Sequence, residues 1–382
     1  MRQETGATEA RAKARGYLRV ADAKLGDFLV KKLSTGMLQK VDAVVFDCDG
    51  VLIDARRSYD ETIRLVVQQM VEEATGVRLG LAKAMPKLIS MMRRTGGFNS
   101  DWDTSYGLTL FSLVALAQVN GGRGAKGPRA VKELRRITAR FGSAPRGRGQ
   151  EAVDSFLESE SPSVKETLDK GRRHLGYPST PPKGRMTTLF DELYFGPSLF
   201  KKVHGVRAST LRERGLIEKE RLLVDKKALE SLEEKLGRGR LAIVTGRPYL
   251  GTEHSLGKDI MGYFDRGASM FIGDADTDPS LRGKYDGYRK PSPKALERAR
   301  EKLSSKTLLY VGDSAEDLMM VQNARREGLQ GFLFAGVYET SPVEADQASF
   351  FEREEADLIV ETVKQVPSGL LLSSASEAGR ER

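Results

Sequence analysis

Short apolar runs recur along the chain, and most of them end in acidic or hydroxyl residues. Four such runs lie at 41–46, 241–244, 307–311 and 331–337. Their apolar positions are continuous rather than alternating, which is typical of strands that helices cover on both faces. Segments with helical periodicity separate or follow these runs, at 222–236, 292–303 and 317–326. This order predicts an α/β core with a Rossmann-like, doubly wound parallel sheet.

The first and second runs lie nearly 200 residues apart, which is too far for one crossover connection. Helical periodicity from Tyr59 to Leu116 in the intervening chain predicts a large inserted, mainly α-helical cap domain. The predicted division comprises a basic N-terminal extension at 1–40, a core at 41–57 and 236–366, a helical insert at 58–235 with a basic, partly irregular segment at 121–182, and a disordered tail at 367–382.

Composition favours a soluble cytoplasmic protein with no membrane partner. The chain has 382 residues, 39% hydrophobic and 30% charged, and no apolar run approaches the roughly 20 residues that span a bilayer. The polar N-terminus lacks the apolar segment of a signal peptide. Cys48 is the single cysteine, which excludes an intramolecular disulfide and a cysteine-rich zinc site. The histidines His174, His204 and His254 are too scattered to predict a metal site.

The net charge of +9 is distributed unevenly. Residues 121–150 contain nine basic residues against one acidic residue, and residues 1–40 contain nine against four. Such runs are commonly solvated surface, and nucleic-acid binding is the alternative interpretation. Few aromatic residues for base stacking are interleaved with the charges, so we favour solvated surface.

The first apolar run ends in the sequence Asp47-Cys48-Asp49-Gly50. Residues two apart at the end of a strand point the same way, so the two carboxylates are expected to converge. Converging carboxylates repel unless a cation joins them, and Mg²⁺ prefers such hard oxygen ligands. The backbone amides of the tight turn are also suited to bind an anion.

Further polar residues follow the other runs or precede a predicted helix. Thr245-Gly246 offers a hydroxyl and a backbone amide, Lys290 a cation, and Asp313 and Asp317 two further acids. Acids for a metal, donors for phosphate oxygens and a carboxylate left over as nucleophile suit phosphoryl transfer. The acids at 271–278 lie where a loop is expected, and we interpret them as outside this site.

Together these motifs resemble those of the haloacid dehalogenase superfamily, in the branch with a helical cap of the first type. Asp47-Cys48-Asp49-Gly50-Val51 resembles motif one, Thr245 motif two, Lys290 motif three, and Gly312-Asp313-Ser314-Ala315-Glu316-Asp317 motif four. The resemblance covers about 150 residues of core, at 41–57 and 236–366. It implies that the insert closes over the core and selects the substrate.

The resemblance also implies roles for individual residues. Asp47 would be the nucleophile that forms an aspartyl-phosphate, and Asp49 the general acid and base. The donors to the phosphoryl oxygens would be Thr245, Gly246 and Lys290. The metal ligands would be Asp47, Asp49 through its backbone carbonyl, Asp313 and Asp317, the last directly or from close by. An acid at Asp49 favours phosphoryl transfer, because the dehalogenases of the superfamily lack one there.

Within the insert, residues 96–103 resemble a cap motif of a little-characterised branch of these hydrolases. Asn99, Asp101 and Trp102 are the candidate substrate contacts, with packing inside the insert as the alternative. The function predicted from the sequence is a Mg²⁺-dependent phosphatase acting on a small phosphomonoester. The alternatives are a phosphomutase of the same superfamily and a protein that binds or processes nucleic acid through the basic insert. The sequence specifies no oligomeric state.

Overall fold

A computed structural model describes residues 16–371 apart from 23, 94, 96–97, 99, 120–125, 144–148, 161–164, 210–212, 282 and 342–343. The chain divides into two compact units. The core unit contains the described residues up to Ala55 and from Glu220 onward, and the insert unit is Arg56–Lys219.

The core unit is built on an eight-stranded sheet in the order β1-β2-β10-β9-β8-β3-β6-β7. The strands are β1 (Tyr17–Asp22), β2 (Gly26–Lys31), β3 (Ala43–Phe46), β6 (Leu241–Thr245), β7 (Met270–Phe271), β8 (Leu308–Gly312), β9 (Phe332–Val337) and β10 (Leu358–Val360). From β10 to β7 the neighbours run parallel, whereas β1, β2 and β10 pair antiparallel. A separate pair joins β4 (Ile53–Asp54) to β5 (Arg221–Leu222).

Continuous apolar sequence explains the position of the central strands. Every residue of β3, β6, β8 and β9 is buried, as expected for strands covered on both faces. The strand order reverses direction at β3, which has the later strands β6 and β8 on its two sides. This confirms the predicted doubly wound fold, and it makes the carboxyl end of β3 the expected ligand site.

Helices of the core unit connect these strands. Their bounds are Thr35–Gln39, Lys226–Leu236, Tyr249–Met261, Asp274–Thr277, Lys294–Lys302, Ala315–Arg326 and Glu344–Arg353. The helix that follows β8 begins with a capping box, in which Ser314 and Asp317 each accept a hydrogen bond from the other's backbone N–H. This box fixes the chain immediately after Asp313.

The described part of the insert unit is helical. Its helices are Arg56–Thr75, Met85–Arg93, Asp101–Val119, Lys126–Gly142, Gly149–Glu160, Lys165–Leu175 and Arg185–His204. Helix Asp101–Val119 is buried at every position from Thr104 to Leu116, so the insert unit has an apolar core of its own. Three of the helices fall within 121–182, where the sequence suggests a partly irregular chain.

Helix Lys126–Gly142 carries much of the basic charge of residues 121–150. It buries an apolar stripe that includes Leu134 and Phe141, while its arginines at 129, 135, 136 and 140 are exposed. No described helix is both long and apolar enough to span a bilayer.

Three segments differ from the sequence-based expectation. Residues 17–31 of the predicted N-terminal extension form the β1–β2 hairpin at the sheet edge, and residues 1–15 lie outside the described chain. A loop is expected at 271–278, but Met270–Phe271 pairs with β6 and a short helix follows. The first five residues of the predicted disordered tail are helical and largely buried, and residues 372–382 lie outside the described chain.

Candidate active site

The candidate site lies where the three central strands end. Asp47 directly follows β3, Thr245 ends β6, and Asp313 follows β8. Phe46 pairs with Ile243 on one side and with Val311 on the other, so these ends lie side by side. The Asp47 N–H donates to the Val311 carbonyl at 2.8 Å, which carries the ladder one residue beyond β3.

Three carboxylates converge at this edge. One oxygen atom from each of Asp47, Asp313 and Asp317 lies within 4.8 Å of the other two. Lys290 Nζ lies 2.9 Å from Asp47 Oδ2 and 2.6 Å from Asp317 Oδ1. Three negative charges against one positive charge leave the ionised cluster with a formal charge of −2.

The electrostatics of the cluster favour a bound cation. Burial raises the pKa of Asp47 to about 6, although the Lys290 ammonium acts in the opposite direction. Burial also raises the pKa of Asp313 well above its ordinary value, and the carboxylates of Asp317 and Asp47 add to the rise. A divalent cation would balance the surplus charge, and carboxylate oxygens are the ligands that Mg²⁺ prefers. The donor set therefore fits a hard divalent metal ion.

Asp317 differs from the other two acids because protein donors contact both of its oxygens. Oδ2 accepts hydrogen bonds from the backbone N–H of Asp313 and from the N–H and hydroxyl of Ser314, and Oδ1 accepts one from the Tyr310 hydroxyl at 3.0 Å. Burial acts to raise the pKa of Asp317, but Lys290 and Ser314 outweigh it and lower the pKa. Asp317 therefore orients Lys290 and the turn, whereas Asp47 and Asp313 have more capacity to bind a metal ion.

Lys290 is held charged by its acidic neighbours. Burial lowers its pKa, but the carboxylates of Asp317 and Asp47 outweigh this and hold the pKa well above its ordinary value. A buried ammonium fixed beside a carboxylate is suited to bind phosphoryl oxygens at that position.

The turn after β3 requires glycine at position 50. Gly50 has φ +75°, and a Cβ atom there would overlap the Asp313 carboxylate. Its backbone N–H donates to the Ile53 carbonyl at 2.8 Å, which closes the turn. The absence of a side chain at Gly50 therefore lets the turn after β3 approach Asp313 closely.

Thr245 and Gly246 lie at the neighbouring strand end, where the sequence places them. Thr245 is buried and Gly246 is exposed. Thr245 Oγ1 accepts a hydrogen bond from the Arg247 N–H at 3.2 Å. Their role in phosphate binding stays a prediction.

Asp49 has an ionic partner, Arg247, that sequence reasoning missed. Arg247 Nε lies 3.2 Å from Asp49 Oδ1, and Arg247 Nη2 lies 2.5 Å from Glu220 Oε1. The Arg247 side chain is only 1% exposed, whereas that of Asp49 is 38% exposed. The available signal was a charged residue two positions after Thr245 at a strand end, but its partners are distant in sequence.

The candidate cap residues lie in the insert unit, apart from Asn99, which falls outside the described chain. Asp101 forms an ion pair with Arg93 at 3.0 Å. The indole N–H of Trp102 donates to Asp191 Oδ1 at 3.2 Å. These contacts hold the insert unit together, and substrate contact by Asp101 and Trp102 stays a prediction.

The insert unit also contains a cavity of about 670 Å³. Its charged lining includes four cations, Arg56, Arg57, Arg64 and Lys219, against Asp60 and Glu61. Arg64 pairs with Glu61 at 2.7 Å, and Asp60 pairs with Arg93, outside this lining, at 3.1 Å. The lining therefore favours anions over cations.

Comparison with known proteins places the chain in a family. A family model described as haloacid dehalogenase-like hydrolase matches residues 41–325. The chain belongs to this family. The match confirms the resemblance drawn from the four motifs, and it makes the protein a hydrolase of the haloacid dehalogenase-like class.

Solved structures include relatives of this haloacid dehalogenase-like hydrolase. An X-ray structure of a Northeast Structural Genomics Consortium target shares 17% identity, with a TM-score of 0.54 over 87% of this chain and 100% of its own. That likeness shows the shared fold. A structure assigned as a haloacid dehalogenase-like hydrolase from Bacteroides fragilis shares 16% identity, with a TM-score of 0.41 over 86% of this chain and 100% of its own.

A further structure, assigned as a phosphoglycolate phosphatase from Lactobacillus plantarum, shares 16% identity with this haloacid dehalogenase-like hydrolase. Its TM-score is 0.35, over 86% of this chain and 99% of its own. A search of curated proteins found no match.

Proposed function

We propose that this haloacid dehalogenase-like hydrolase is a Mg²⁺-dependent phosphatase that hydrolyses a small phosphomonoester through Asp47. The observation that supports this most directly is the pairing of Asp47 with Lys290, 2.9 Å apart, inside a cluster of three carboxylates. A carboxylate held beside a fixed ammonium and a cation site is equipped to attack a phosphoryl group, since both charges offset the negative charge of the substrate.

In the proposed reaction, a carboxylate oxygen of Asp47 forms a bond to phosphorus as the bond to the leaving oxygen breaks. Asp49 donates its proton to that leaving oxygen, and the alcohol departs. Asp49 then takes a proton from a water molecule, whose oxygen attacks the phosphorus of the aspartyl-phosphate. The bond between Asp47 and phosphorus breaks, which returns the Asp47 carboxylate and releases inorganic phosphate.

The remaining residues hold the phosphoryl group and the metal ion. Lys290, the Thr245 hydroxyl and the Gly246 amide would bind phosphoryl oxygens. The carboxylates of Asp47 and Asp313 and the backbone carbonyl of Asp49 would hold Mg²⁺, which supplies charge neutralisation when bound. Asp317 keeps Lys290 in place through the contact of 2.6 Å.

A phosphatase screen with Mg²⁺ over a panel of metabolite phosphates tests this proposal. We expect phosphate release by the wild type and loss of about 10³-fold or more in Asp47→Asn, which removes the nucleophile but keeps the side-chain volume. Asp274→Asn is the matched control, because Asp274 also lies beyond the end of a strand but bonds to the Tyr249 N–H outside the cluster. Hydrolysis that survives in Asp47→Asn, or isomerisation without phosphate release, would contradict the proposal.

A further inference from the structure

Arg247 forms ion pairs with two acids of the core unit, Asp49 and Glu220. We propose that Arg247 is a positioning residue, which holds the Asp49 carboxylate in the orientation needed for proton transfer, and that Glu220 holds Arg247. This proposal rests on the proposed phosphatase activity.

Burial of Arg247 makes both of its ionic partners important. Its side chain is 1% exposed and that of Glu220 is 3% exposed. A buried guanidinium is costly unless it is paired, and the loss of one partner of such a pair is strongly destabilising. Arg247 Nη2 donates to Glu220 Oε1, and Nε lies 3.2 Å from Asp49 Oδ1, so one planar cation lies between the two carboxylates.

Glu220 is itself held on both oxygens. Oε1 contacts Arg247, and Oε2 accepts a hydrogen bond from the Ser255 hydroxyl at 2.5 Å. Glu220 directly precedes β5, and β5 pairs with β4 just after the turn that carries Asp49. The β4–β5 pairing therefore delivers Glu220 to the Asp49 turn, and the β3–β6 pairing delivers Arg247, which lies two residues after the end of β6.

Asp49 is the site acid that most needs such a constraint. Its side chain is 38% exposed, whereas Asp47 is 10% and Asp317 0% exposed. An exposed carboxylate can occupy several rotamers, and general acid–base catalysis requires one that reaches the leaving oxygen. The Arg247 backbone is anchored at the same edge through its hydrogen bond to Thr245 Oγ1, so the guanidinium is a fixed reference for Asp49.

Leaving-group dependence separates positioning of Asp49 from a purely structural role. The value of kcat/KM reports on steps up to the departure of the alcohol, and 4-nitrophenyl phosphate has a leaving oxygen that needs no proton. A primary alkyl phosphate needs that proton from Asp49. We expect Arg247→Met to lose about 10²-fold in kcat/KM for the alkyl ester and to stay within about threefold for 4-nitrophenyl phosphate.

Two further variants sharpen this test. Arg247→Lys restores a cation without the fork and should recover part of the loss for the alkyl ester. Arg325→Met is the matched control, because Arg325 also pairs with a buried carboxylate, Asp357 at 2.5 Å, away from the site. That control should lose stability without any leaving-group preference. Equal losses for both esters in Arg247→Met would overturn the positioning role.

The contact between Arg247 and Asp49 can also be tested by a measurement that does not depend on enzyme activity. In a double-mutant cycle of thermal unfolding, the Tm losses of Arg247→Met and Asp49→Asn should not add in the double variant, because each removes the same ion pair. Additive losses would overturn the proposed contact. If Arg247→Met fails to fold, Glu220→Gln is the substitute variant, because it is a milder change. It should also lose kcat/KM for the alkyl ester while keeping it for 4-nitrophenyl phosphate. A wild type that hydrolyses neither ester would reject the phosphatase proposal and this role with it, and the cycle would still report whether the contact exists.

Discussion

Lys290 Nζ and Asp317 Oδ1 are 2.6 Å apart, with the Asp317 side chain fully buried and that of Lys290 10% exposed. The Tyr310 hydroxyl donates to the same oxygen at 3.0 Å. Asp317 is therefore linked to Asp47 indirectly, because the ammonium that it holds also contacts Asp47. The candidate site is organised around this pair as much as around Asp47, the proposed nucleophile.

Tyr310→Phe should lower the free energy of unfolding by about 1.5–3 kcal/mol, because it removes a buried hydrogen bond to a charged group. It should also lower kcat by roughly 3–10-fold, since Lys290 then has a less fixed partner. Chemical denaturation and steady-state kinetics measure the two effects. Tyr17→Phe is the matched control, because the Tyr17 hydroxyl donates to the Ala356 carbonyl outside the site. A similar loss of kcat in both variants would argue against a link through Asp317.

Mg²⁺ should raise the Tm of the wild type, because a ligand that binds only the folded state stabilises it. Asp313→Asn should abolish most of that shift, since it removes a carboxylate from a cluster with a formal charge of −2. Thermal unfolding with Mg²⁺ and with a chelator measures the change, and Asp274→Asn should keep the full shift. An undiminished shift in Asp313→Asn would place the metal elsewhere.

Gly50→Ala should destabilise the fold and reduce phosphatase activity strongly. The residue has φ +75°, and the added methyl group would overlap the Asp313 carboxylate. Gly76→Ala has the same left-handed backbone, φ +69°, with open space around it. It should lose only the roughly 1–2 kcal/mol of backbone strain and none of the activity. Comparison of Tm and kcat/KM for the two variants distinguishes the effect of steric overlap with Asp313 from the effect of backbone strain alone.

Asp42 gives a stability contribution that depends on pH. Burial acts to raise its pKa, but the Ser305 hydroxyl and the N–H groups of Lys306 and Thr307 outweigh it and lower the pKa. A carboxyl whose pKa is lowered in the folded state stabilises the protein above its unfolded-state pKa, about 3.9. That stabilisation disappears as the pH falls through the folded-state pKa. Wild type should therefore exceed Asp42→Asn in stability at neutral pH, with the gap closing in acid denaturation, and a constant gap would contradict this account.

The sequence predicted the parts of the site that local patterns encode. Asp47, Thr245 and Asp313 follow apolar runs that form neighbouring parallel strands, so their meeting at one edge follows from the fold class. Family membership confirms the predicted motifs as those of a haloacid dehalogenase-like hydrolase. The chemical roles of the individual residues stay predictions.

The parts that sequence reasoning missed depend on contacts between distant segments. Tyr310 occupies a buried strand position, where an aromatic side chain is ordinary, and nothing local marks its hydroxyl as a partner of Asp317. Glu220 reaches Arg247 because β5 pairs with β4, about 170 residues away in sequence, while β6, which precedes Arg247, pairs with β3. The two residues of β7 are too few to show a strand pattern.

The β1–β2 hairpin has a practical consequence for anyone who shortens this chain. The family match begins at residue 41. A truncation at that residue would remove β1 and β2 and leave β10 as the edge strand of the sheet. An exposed edge strand can pair with other chains through its unpaired backbone N–H and C=O groups. The trimmed protein should therefore self-associate during expression, and sedimentation velocity would detect the aggregates.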